Sequence, residues 1–116
     1  MRKITILLII GFLFSCESEK KHTNPLDQIA EDYVKLVLEV GQYDSNFVDA
    51  YYGPNEWKPK PLSDEKKENP PFDILLEKSS LLVNRIKTLD SERFSDQLKL
   101  RQIYLQKQLQ AVHGRI

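Results

Sequence analysis

Asn24-Pro25-Leu26-Asp27-Gln28-Ile29-Ala30-Glu31-Asp32-Tyr33-Val34-Lys35-Leu36-Val37-Leu38-Glu39-Val40-Gly41 carries the pattern that decides the fold class. Asn as N-cap, Pro at the first helical position and an acid in the first turn predict a helix start. Gln28, Glu31, Asp32, Lys35 and Glu39 fall in one narrow polar stripe at helical spacing. Ile29, Ala30, Tyr33, Val34, Leu36, Val37, Leu38 and Val40 cover more than half the circumference, more than one neighbouring helix buries. The helix is expected to end near Val40, with Gly41 as a left-handed stop.

Working outward, the segment from Gln42 to Trp57 is the densest in large side chains. Asp44 or Ser45 is expected to cap a short helix that Gly53-Pro54 ends. Pro59, Pro61 and the charged run Asp64 to Glu68 then predict an exposed, extended Pro-rich linker near 58–71. Asn69-Pro70-Pro71 reads as the start of a second capped helix. Phe72, Leu75, Leu76, Ser79, Leu82, Val83, Ile86 and Leu89 line its apolar face, and Asp73, Glu77, Ser80, Asn84 and Lys87 the other. Asp90-Ser91 interrupts, and a last helix is expected from about Glu92, with Phe94, Leu98, Leu105, Leu109, Val112 and Ile116 in phase. Gln102, Gln106 and Gln110 read as a solvated face. No strand-like alternation is present, so the class is all-α: a helical hairpin packed on the first amphipathic helix.

Upstream, Arg2 and Lys3 precede an apolar run from Ile4 to Phe14, and Ser15 leads into Cys16, the single cysteine of the 116 residues. This is the layout of a bacterial lipoprotein signal, and the run is too short to span a membrane, which takes about 20 residues. Cleavage before Cys16 makes residues 1–15 the signal peptide, Cys16 the lipidation site and residues 16–23 a charged tether. Residues 24–116 form the helical module. The expected location is the bacterial cell envelope, on its periplasmic or surface face, with the membrane as partner through the lipid anchor. An ordinary signal peptide followed by a free cysteine is the alternative.

Of 17 Lys and Arg, two lie in the signal, leaving 15 against 17 acids and a net charge of −2. That balance gives no footprint for nucleic acid. With one cysteine no internal disulfide can form, and with His22 and His113 the only imidazoles the chain lacks ligands for a conventional zinc site. Once tether and linker are discounted, roughly 60 to 70 residues remain to build a core, which rarely stabilises a fold without a staple. Together with the apolar excess of the first helix, this predicts the N-terminal part of a larger domain or a chain with an obligate partner. The isolated mature segment is expected to be only marginally folded or to self-associate through Ile29, Tyr33, Leu36 and Val40.

Tyr33 to Leu38, Asp49-Ala50-Tyr51-Tyr52-Gly53-Pro54-Asn55-Glu56-Trp57 and Gln108-Leu109-Gln110-Ala111-Val112 together carry a resemblance that covers roughly residues 26 to 116. They resemble the N-terminal portion of a family of uncharacterised, mostly helical bacterial lipoproteins similar to zinc-dependent helical metallopeptidases of the His-Glu-x-x-His type. Longer members carry a His-Glu-Gly-x-Pro-Gly-His-His signature far downstream, in which histidines hold zinc and the glutamate activates water. No zinc ligand or catalytic glutamate of that signature exists in this chain. The resemblance therefore implies zinc and peptidase activity only for a full-length relative, and no cofactor, metal ligand or catalytic residue here.

Asp49, Tyr51, Tyr52 and Trp57 are the candidate site: either the rim of a substrate groove or a corner of the core closed by Gly53-Pro54. His113 reads as a lone surface histidine. The resulting expectation is a membrane-anchored, truncated N-terminal module of a zincin-like hydrolase without its active site. The alternative is a free-standing small envelope lipoprotein that binds another envelope protein. A complete small enzyme is disfavoured because no nucleophile and base stand at plausible spacing.

Overall fold

The computed structural model describes residues 24–116, and the readings placed on the signal, Cys16 and His22 lie outside them. Helix α1 spans Pro25–Val40, with the Asn24 side chain accepting a hydrogen bond from the Leu26 N–H at 3.0 Å. Gly41 is not left-handed: its φ of −61° and ψ of −15° continue the right-handed path. The Tyr43 and Asp44 N–H groups donate to the Val40 carbonyl, so the last turn satisfies itself. The glycine serves a close approach instead, because a Cβ there would stand 3.1 Å from Val48 Cγ2.

The short helix expected after Asp44 does not form. Asp44 Oδ1 accepts the Asn46 N–H at 2.9 Å, a local side-chain turn that competes with helix, and Phe47 folds back to pack on the core. One 3-10 turn lies later, at Asn55–Trp57. The linker is largely exposed but not featureless. It holds a single helical turn, α2 (Asp64–Lys67), and Gln42 Oε1 accepts the Leu62 N–H at 3.1 Å, tying it to the end of α1.

Helix α3 spans Phe72–Lys87 and has no side-chain cap; Asn69 instead donates to the Glu65 carbonyl. Its core face is Leu75, Ser79, Leu82 and Ile86. Phe72, assigned to that face by its spacing, is 52% exposed. Phe72 is the first residue of α3 and stands outside the core cluster. Helix α4 spans Asp96–Arg115, four residues later than expected, because the Asp90 side chain holds a turn on Glu92 N–H and Ser95 takes the N-cap.

The described residues are therefore all-α, as expected: α3 and α4 form an antiparallel hairpin, and α1 packs on it, mostly against α3. Leu26, Ile29, Leu36 and Val40 of α1 bury against Leu75, Leu82 and Ile86 of α3 and Leu105, Leu109 and Val112 of α4. Three of the four side chains expected to seek a second chain are thus buried within this one, and Tyr33 is partly covered. The polar stripe of α1 is used too. Asp32 pairs with Arg85 at 2.5 Å, Glu39 with Lys78 at 2.7 Å, and Asp27 with Arg101. In every cross-helix pair the acid lies on or just after α1 and the base on α3 or α4. Each half-exposed pair contributes at most about 1 kcal/mol, so together they set register more than stability.

Just past α1, Asp44 pairs with Arg115 at 2.9 Å. The Asn46 N–H and then the Arg115 guanidinium hold the Asp44 carboxyl below its ordinary range. A depressed carboxyl contributes stability that is present above its unfolded pKa and is lost as pH falls through the folded one. Acid titration of Asp44→Asn, followed by circular dichroism, is expected to show a shallower loss of stability below about pH 4 than the parent chain. Equal slopes for the two chains would remove Asp44 as a contributor.

Candidate functional site

The sequence candidates Asp49, Tyr51, Tyr52 and Trp57 lie on the loop between α1 and α2 and do not converge. Asp49 is exposed, Tyr52 is 96% exposed, and Tyr51 and Trp57 are half-covered; none belongs to the core cluster. What organises the loop is Tyr51, whose hydroxyl donates to the Pro54 carbonyl at 3.1 Å. Its ring folds over Gly53 so closely that a Cβ there would stand 2.5 Å from the phenol carbon Cζ. Glycine is the residue that lets the ring lie down. Lost hydration, and then the charge of Glu56, raise the Tyr51 phenol above its ordinary value.

The structure does join a hydroxyl to an imidazole. Ser79 Oγ lies 2.7 Å from His113 Nδ1 and 2.8 Å from the Leu76 carbonyl. A serine hydroxyl has one proton, and a carbonyl can only accept. The proton therefore goes to Leu76, and His113 donates from Nδ1 into the Ser79 lone pair. This arrangement satisfies all three atoms but makes no nucleophile. Ser79 is fully buried and its proton is committed to the helix backbone, so no substrate can reach Oγ. His113 is exposed yet not alone, which corrects the reading of a lone surface histidine. The signal was present in the phase of Ser79 with Leu75, Leu82 and Ile86.

Gln102 is likewise more than a solvated side chain. Its Nε2 donates to the Ile86 carbonyl at 3.2 Å and the Leu89 carbonyl at 3.4 Å, closing the end of α3.

The larger concave feature is a groove between α1 and α4, which sequence reasoning did not identify. A cavity of about 480 Å³ is lined by Ala30, Tyr33 and Val34 from α1 and by Leu100, Tyr104 and Leu105 from α4, with Gln97, Arg101 and Gln108 at its edge. A second of about 250 Å³ continues it past Tyr33 and Gln108 to Val37, Phe47, Val112 and Arg115. Burial raises the Tyr33 phenol above its ordinary value. The groove is apolar with amide and guanidinium edges, suited to covering side chains rather than to proton transfer. Among the described residues, no three His, Cys, Asp or Glu side chains are placed to hold a metal ion. No described helix is long and apolar enough to cross a membrane. Compared with known proteins, the chain matches no family model, no curated protein and no solved structure at significant similarity.

Proposed function

We propose that this chain is a membrane-anchored lipoprotein module, the N-terminal helical part of a larger zincin-like hydrolase whose catalytic residues lie elsewhere. The observation that carries the reading is that α4 is apolar on two faces. One packs on α1 and α3, while Leu100, Ile103 and Tyr104 on the other are 51%, 50% and 58% exposed. A helix with apolar residues on opposite faces belongs inside a larger array. The groove beside it supports the same reading, as does the signal-like run ending at Cys16. The same open face suits the alternative, a small envelope lipoprotein that binds a neighbour. A His-Glu motif in the reading frame beyond Ile116 favours the first; a stop codon there favours the second.

Anchoring has its own test. Cys16→Ser removes the thiol to which a diacylglyceryl group is joined, and the mutant is expected to lose radiolabelled fatty acid and to leave the membrane fraction. Retention of label or of membrane association in the mutant would exclude the anchor.

A further inference from the structure

We propose that the α1–α4 groove, with the outer face of α4, docks an amphipathic helix whose apolar stripe is flanked by carboxylates. The proposal rests on the reading above and names the partner's chemistry. Leu100, Ile103 and Tyr104 cluster at helical spacing on the side of α4 opposite Leu105, Leu109 and Val112, and Lys107 and Ala111 follow on the same line. From Leu100 to Ala111 this line runs about 17 Å, the length of a three-turn helix, with one apolar turn followed by the Lys107 cation. Ala30, Tyr33 and Val34 raise a wall on one side of it, so the surface is concave. A concave trough fits the convex cylinder of a helix better than a flat lipid surface.

Charge selects the kind of helix. Lys99 and Lys107 are exposed on α4 and make no ion pair among the described residues, and Asp96 is the single acid of that helix. Within the fold, every cross-helix pair already sets an acid from the α1 side on a base of α3 or α4. A second copy presenting its own α4 would bring the same cations together. An acidic partner helix would not.

The test uses the full chain and two designed 15-residue amphipathic peptides with one leucine stripe, flanked by glutamate in one and by lysine in the other. Fluorescence anisotropy is expected to show binding of the glutamate peptide alone, weakening as salt is raised. Tyr104→Ala is expected to weaken it by about tenfold, equivalent to 1.4 kcal/mol. Lys99→Glu with Lys107→Glu is expected to transfer the preference to the lysine peptide, with the helical circular dichroism unchanged. Equal binding of both peptides, or of neither, overturns the proposal. So does association only with phosphatidylglycerol-containing vesicles, or dimerisation that excludes the peptide. None of these outcomes depends on Cys16, so the anchor stands or falls separately.

Discussion

Leu109→Ala is expected to leave the chain without a stable fold at room temperature. Leu109 is fully buried on α4, in a core shared with α1 and α3. Truncating a buried leucine to alanine costs about 2–5 kcal/mol, through lost transfer energy and the cavity left behind. A core of this size supplies only about 3–5 kcal/mol. The two quantities are nearly equal, so the variant should lack a flat native baseline in urea when followed by circular dichroism. Leu100→Ala is the matched control: the same substitution on the same helix, at a half-exposed position where about 0.5 kcal/mol or less is expected. Similar midpoints for the two variants would mean that the three-helix core does not hold the fold.

Ser79→Leu has the second-largest expected effect. Ser79 is the buried small residue between α3 and the last turns of α4, with its oxygen against His113. Forcing two more heavy atoms into that contact costs about 1–3 kcal/mol by overpacking. At about 4–8 °C per kcal/mol for a domain of this size, a drop of the melting midpoint well outside error follows. Ser79→Ala separates packing from hydrogen bonding. It loses a bond worth about 1 kcal/mol but gains helix propensity, so its midpoint should move little. Nitrogen NMR of the imidazole supplies the chemical readout. His113 is expected to carry its proton on Nδ1 in the parent chain and to lose that bias in Ser79→Ala. An Nε2–H imidazole in the parent would reverse the assigned direction of the Ser79–His113 bond.

The helices were legible because their causes are local. Asn24-Pro25 starts α1 through its own side chain and ring, and the period of Leu75, Ser79, Leu82 and Ile86 is a property of one helix. Boundaries failed where a short polar side chain competed with the helix. Asp44 and Asp90 each captured an N–H two residues on, erasing an expected helix in one case and delaying α4 in the other. Gly41 was misread for a different reason. Its use is to admit Val48, a contact that exists only once the chain has turned back.

The sequence by itself therefore determined the all-α class and the core-facing stripes of α1, α3 and α4, while the second apolar face of α4 went unread. Only the tertiary structure decided where those faces meet. It put Ile29, Leu36 and Val40 into an intramolecular core, joined Ser79 to His113 across 34 residues, and set Gln102 on the carbonyls of α3. It also left Leu100, Ile103 and Tyr104 open beside Tyr33. Periodicity records that a side chain is apolar and on which face it lies. Whether that face is covered depends on helix order and register, which are settled by packing between residues far apart in the chain.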